Sequence, residues 1–230
     1  MRCRTWVLFC AVLSLSALAL FTTSCGSSSS NGTQLRMVNA MPDEGSLDML
    51  VDTKSGVASV GYGAASSYIS VSTGSRHLQV EATGQTTILI DRTDSISSGT
   101  NYTLISQNFS FNPSSVLLTD DNSAPSSGNF KLRVVNASPG MGPQDVYVVT
   151  DGTDIGSVNP PTFPGLGFGE SSAYIELAAG DYDVIFAVPN QKFKNLDSGK
   201  LTIAAGQIRT LLGLNNPVGG FESTLLTDKN

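Results

Sequence analysis

The stretch Leu35–Pro42, L-R-M-V-N-A-M-P, returns as L-R-V-V-N-A-S-P at Leu132–Pro139. Six of the eight letters are identical, and the copies stand 97 positions apart (132 against 35). A separation of that length is a small domain, so the chain reads as one module written twice. Asp48 matches Asp145 at the same offset. Tyr62-Gly63 then matches Phe168-Gly169, Ser67-Tyr68-Ile69 matches Ala173-Tyr174-Ile175, and Gly74 matches Gly180, all 106 apart. The offset has grown by 9, which places extra loop residues around Asp151–Pro164 in the second copy. Thr103-Leu104 matches Thr210-Leu211, and both copies close on Leu-Leu-Thr-Asp, at 117–120 and 225–228.

Residues 1–24 read as a cleaved signal peptide. Arg2 and Arg4 precede an apolar run over Trp6–Phe21, which suits a signal better than a spanning helix. Thr22-Thr23-Ser24-Cys25-Gly26 resembles a bacterial lipobox, although Thr22 stands where Leu is usual. That resemblance implies a lipid on Cys25, and Gly26 after it implies the outer membrane. The alternative is a plain secretory signal and a freely secreted protein. The segment 25–32 is Ser/Gly-rich and reads as a tether.

The chain has three cysteines, Cys3, Cys10 and Cys25, all in or beside the signal. The mature modules therefore lack a disulfide and a Cys-based metal site, and each must be held by its core. Thirteen basic and nineteen acidic residues give a net charge of −6. Removing Arg2 and Arg4 makes that −8, which argues against nucleic acid and against docking on anionic lipid. Membrane contact is then expected only through an N-terminal lipid.

Short β runs separated by Gly, Pro, Asn and Ser follow one another every 8–12 residues, about seven per copy, and no window carries a helical period. The expected fold is all-β: two tandem immunoglobulin-like β-sandwiches, 33–120 and 130–230, joined by a polar linker at 121–129. Pro160–Gly169 reads as a loop, too rich in Pro and Gly for a strand. Gly99-Thr100-Asn101-Tyr102 resembles a tyrosine corner, absent from the second copy, where Arg209 stands instead. A transmembrane β-barrel is disfavoured by the duplication and the internal linker.

The opening L-R-V-V-N-A-S-P, followed by D-V-Y-V and S-S-A-Y-I-E-L-A-A-G-D-Y-D-V, resembles the bacterial domain of unknown function 4397. That resemblance covers nearly all of 33–230 and implies secreted or lipid-anchored β-rich modules, often in tandem. It brings no catalytic residues.

The residues offer little for catalysis. His77 is the only histidine, no G-x-S-x-G elbow surrounds a serine, and the second copy has Asp183 at the His77 position. Asp43, Glu44, Asp48, Asp52, Asp151 and Asp154 lie in or beside loops, without the spacing of a calcium loop. No motif calls for a cofactor or a metal. The expectation is a non-enzymatic envelope lipoprotein, serving as a spacer, adhesion or ligand-binding protein. Its candidate binding loops follow the N-A-x-P turns, with Asp43 and Glu44 in one copy and Ser138, Met141 and Gln144 in the other. The alternative is a carbohydrate- or cell-wall-binding module using an aromatic face of Tyr62, Tyr68, Phe168 and Tyr174; a hydrolase is a remote third. A protein or a glycan could be the ligand.

Overall fold

The computed structural model describes residues 32–229. The signal peptide, Cys25 and nearly all of the 25–32 tether lie outside the described residues. The described chain is β-structure with a single 3-10 turn at Ile155–Ser157.

The first half supplies β1 (Gln34–Ala40), β2 (Ser46–Val51), β3 (Lys54–Gly61), β4 (Ile69–Ser70), β5 (Gly74–Ala82), β6 (Ile88–Ile96), β7 (Asn101–Gln107) and β8 (Ser114–Asp120). They form two sheets, ordered β4-β1-β7-β8 and β3-β2-β5-β6. The second half supplies β9 (Asn129–Asn136), β10 (Gln144–Thr150), β11 (Phe163–Leu166), β12 (Ile175–Ala178), β13 (Gly180–Ala187), β14 (Lys194–Asp197), β15 (Leu201–Ile203), β16 (Ile208–Asn215) and β17 (Phe221–Lys229). Its sheets run β12-β9-β16-β17 and β11-β10-β13-β14, with β15 also on β13. The order is the same in both halves. In each, the opening strand pairs in parallel with a late one, β1 with β7 and β9 with β16. That pair brings the ends of each copy together in the middle of a sheet.

Each half has its own core between its two sheets. Leu35, Met37, Leu47, Met49, Leu78, Val80 and Leu104 fill the first. Phe130, Leu132, Val134, Val146, Val184, Phe186 and Leu211 fill the second. A third cluster joins the halves: Val38, Ala40 and Ile105 meet Val135, Ala137, Leu212, Leu214 and Leu226. Side chains alternate across a strand. Leu35 and Met37 therefore face the first core, while Arg36, Val38 and Ala40 face the other half. β1, β7, β9 and β16 are consequently buried on both faces, as their near-continuous burial shows. The described residues pack as one compact unit, four sheets deep.

The inserted loop of the second copy has a packing role. Ile155 and Val158 cover Tyr147, Ile185 and Ala187 on the outer face of that half's outer sheet. Two stretches differ from the sequence reading. Lys54–Gly61, not read as a strand, is the edge strand β3. The loop expected over Pro160–Gly169 contains β11, which pairs its Phe163 and Leu166 with Val146 and Gln144 of β10. Pro164 is tolerated because β11 is an edge strand and needs no outward ladder bond. Phe163 packs on the second core.

Candidate functional site

The matched motifs converge on the seam between the halves. Arg36 donates to the Asp228 carboxylate and to the Thr227 carbonyl (2.8 Å). Arg133 donates to the Asp120 carboxylate (2.7 Å) and to the Thr119 carbonyl (3.2 Å). Each half's opening arginine thus binds the other half's closing Thr-Asp. Thr103 donates to Asp120 (2.7 Å) and Thr210 to Asp228 (2.6 Å). Tyr68 and Tyr174 donate to the same two carboxylates, both at 2.7 Å. The two rings also lie under Arg36 and Arg133, at 4.8 and 4.7 Å from the guanidinium carbons. The arginine and aspartate side chains are at most 3 % exposed.

Burial of the Arg36 guanidinium works against its charge, but Asp228, Tyr68 and Asp120 outweigh it, and its pKa stands above the ordinary arginine value. Burial pushes the Tyr68 hydroxyl upward, and the Asp120 charge adds to that. Burial also raises Tyr174; Arg133 opposes the rise and Asp228 reinforces it. Tyr62 is raised by burial and by Glu222, and its hydroxyl is bonded to the Asn215 carbonyl across the seam.

These placements bear directly on the expected aromatic face. Tyr62, Tyr68, Phe168 and Tyr174 are half-buried. Three of the four spend their hydroxyls inside the protein, and Tyr68 and Tyr174 have a ring face under a guanidinium. They are parts of the seam and its flanks rather than an open platform.

The expected binding loops are divided. Asn39 and Asn136 fold their side chains over the turns that follow, each accepting the backbone N–H two residues on and donating to two carbonyls. Ser138, Met141 and Gln144 then turn inward. Ser138 donates to Asn215, Met141 lines the second core, and the Gln144 amide bonds the Met141 and Pro143 carbonyls. Their short loop is closed on itself, so they offer no outward group. Glu44 is half-buried and Asp43 is exposed. Asp43 accepts from the backbone N–H and the hydroxyl of Ser110 in the β7–β8 turn. The other matched carboxylates are structural: Asp48 accepts from Ser59 N–H (2.7 Å) and Asp145 from Gly165 N–H (3.0 Å), both residues with positive φ on edge strands. His77 sits on the surface, its Nε2 2.6 Å from Asp91. Tyr102 Oη accepts from Ser97 N–H (3.1 Å), five residues upstream, as a tyrosine corner does.

The exposed candidates that sequence reasoning missed lie together at one end. Among the described residues the exposed large hydrophobics are Ile88, Phe111, Phe193 and Val218. Ile88 opens β6 after the β5–β6 turn, and the others sit in the β7–β8, β13–β14 and β16–β17 turns. Ala40 pairs with Gln107, Leu47 with Ala82, Asp145 with Ala187 and Asn136 with Gly213, so in each half these turns share an end with the N-A-x-P loop. Tyr62 on Asn215 brings the two halves' ends to the same side. Gly169 does so again: a Cβ there would lie 2.7 Å from Gln107 Nε2. β1 starts and β17 finishes at the opposite end, where Arg36 meets Asp228. A large hydrophobic inside a Pro/Asn/Gly turn (F-N-P, N-P-V-G-G) was the available sequence signal.

Among solved structures, the chain is similar to an α-glucan-binding streptococcal virulence factor (10 % identity, 78 % of this chain and 92 % of that one, TM-score 0.28). It is also similar to a family 26 carbohydrate-binding module of Eubacterium rectale Amy13K in complex with maltoheptaose (12 %, 86 % and 97 %, TM-score 0.26). TM-scores of this size fall short of a shared fold. No curated protein matches the chain. One family profile does, described as a domain of unknown function, DUF4397, over residues 33–147. That match opens at Thr33 beside β1, runs through the first half and the linker, and ends in β10, covering half of the sequence. The chain therefore belongs to the DUF4397 family.

Proposed function

We propose that this protein is a non-enzymatic lipoprotein of the cell envelope, held by a lipid on Cys25, whose paired sandwiches bind a ligand through the end opposite the start of β1. The observation that supports it most is the polarity of the molecule. The strand that follows the tether begins at one end, and the exposed apolar turn residues gather at the other. Burial of the seam makes the halves one rigid body, which suits a stalk that must hold a binding surface at a distance. Outer-membrane placement follows from Gly26 and is part of the same reading. The chemistry available also fits binding better than turnover: the matched carboxylates are engaged in holding turns or the seam, and His77 faces solvent beside Asp91.

Two measurements test it. The intact mass of the protein from bacterial membranes should correspond to a chain starting at Cys25 with a diacylglycerol and an acyl chain. An unmodified N-terminus in the culture fluid would overturn the anchored reading. The Cys25→Ser chain should sediment with envelope fragments or intact cells, and Phe111→Ser with Phe193→Ser should abolish that. Failure to sediment with either would leave only the spacer role.

A further inference from the structure

We infer that the β7–β8 turn is a sugar-stacking platform, with Phe111 as the stacking ring and a neutral polysaccharide as the ligand. This rests on the binding reading above and names its ligand class.

The turn is built rather than loose. Asn112 N–H donates to the Phe109 carbonyl (2.9 Å), closing a β-turn over Phe109–Asn112. Asn108 enters it with φ of 70°, a left-handed conformation that Asn tolerates better than most residues. Asp43, from the neighbouring N-A-x-P loop, clamps Ser110 at the centre through both its N–H (2.9 Å) and its hydroxyl (2.6 Å). The Phe109 and Phe111 rings stack with centroids 5.5 Å apart and planes 11° from parallel. Phe109 is half-buried and Phe111 is 83 % exposed. Phe109 therefore overlaps only part of one face of Phe111, and the rest of the Phe111 ring is open to solvent. An open aromatic face is what the C–H face of a pyranose needs, because the ring face is negative and those hydrogens are positive. The closed turn and its Asp43–Ser110 clamp fix the backbone that carries the ring, which lowers the ordering cost of a complex.

The surroundings favour a neutral sugar over other partners. The turn residues around Phe111 in the chain, Asn108, Ser110 and Asn112, are polar and uncharged. Asp43 is engaged with Ser110, and the two lysines beside Phe193 are engaged, Lys192 with the Val158 carbonyl and Lys194 with the Asp197 carboxylate (3.0 Å). The turn itself carries no charge, so neither an anionic bilayer nor a nucleic acid is matched. A stable protein interface needs about 800 Å² of complementary surface on each side. Here the apolar residues stand on separate turns, Phe111 between Ser110 and Asn112 and Phe193 between Lys192 and Lys194. Phe193, 64 % exposed at the same end, offers a second contact along an extended polymer.

The test is affinity electrophoresis of the full Cys25→Ser chain in native gels containing soluble starch, a β-1,3-glucan or a mannan. At least one polymer should retard the protein. Phe111→Ala should weaken the retardation about tenfold, the effect of losing one well-seated aromatic. Phe111→Tyr should retain it, and Asp43→Ala should weaken it without touching the ring. Phe111 is exposed, so its substitutions should leave the melting temperature unchanged. Unretarded migration in all three gels would overturn the inference, as would retardation indifferent to Phe111→Ala. If the chain sediments with envelope fragments through Phe111 but ignores all three polymers, or floats with phosphatidylcholine vesicles instead, the sugar ligand falls and the binding reading stands. If it sediments with nothing, both fall.

Discussion

Arg36 reaches across the molecule to Asp228, 192 residues further along the chain, and the two side chains are essentially sealed from water. Arg133 repeats the contact in the opposite sense with Asp120. A buried charge that loses its partner is left without solvent to replace it, so removing one member costs about 3–5 kcal/mol. Asp228→Ala and Asp120→Ala should each destabilise the protein by that order. Because the network spans both halves, they should unfold together in one transition in urea. Two separate transitions in the unsubstituted protein would contradict a shared seam.

Gly169 adopts φ of 78° and lies against Gln107 of the other half, where a Cβ would come within 2.7 Å of Nε2. Gly169→Ala adds both a disfavoured backbone conformation and a clash, costing on the order of 1–3 kcal/mol. Gly84→Ala shares the positive φ (79°) but has open space around it, so it should cost less. Comparing their urea midpoints separates the close approach from the backbone term.

Tyr62, Tyr68 and Tyr174 all have hydroxyl pKa values raised in the folded protein, burial being the first cause in each. The folded state holds their protons more tightly than the unfolded chain, whose tyrosines titrate near 10. The stability this provides is complete below pH about 10 and is lost as pH rises above it, since the unfolded state then binds fewer protons. Tyrosinate absorbance followed against pH should show part of the six tyrosines ionising only as the β signal collapses. Six tyrosines titrating freely in the folded protein would refute this.

Asp48 and Asp145 hold equivalent turns on the two edge strands. Asp48 accepts from Ser59 N–H and Thr83 Oγ1 (2.7 and 2.6 Å), and Asp145 from Gly165 and Asn190 N–H (both 3.0 Å). Replacing either by Ala should cost about 1–3 kcal/mol, the range for unpaired buried or partly buried donors. Hydrogen exchange should rise at Ser59 in Asp48→Ala and at Gly165 in Asp145→Ala. Unchanged protection would show that the carboxylates do not hold these turns.

Much of this architecture is legible in the chain. The repeat announces two copies of one β-rich unit, because its matched residues keep their spacing except where loops lengthen. Asn39 and Asn136 read correctly as turn formers, since an Asn before x-Pro closes on its own backbone. β3 is not legible in the chain because Gly56, Ala58, Ser55 and Ser59 carry little β signal; pairing with β2 makes it a strand. The buried fates of Ser138, Met141 and Gln144 were hidden for a related reason. A turn can be recognised locally, but the direction of its side chains depends on the strands packed beside it.

The β class, the repeat, the turn chemistry and the family are all written in local pattern and spacing. What the matched residues are for depends on how the two halves pack. Arg36 and Asp120 lie in the same half, yet neither satisfies the other: each is completed by the second copy. Which residues pair across a seam depends on how two sheets stack, and a period-two strand pattern is silent on that. Tertiary structure also turned Tyr68 and Tyr174 towards those carboxylates and left Phe111 facing water, because half-burial of a ring is fixed by what packs over it and not by its neighbours in the chain.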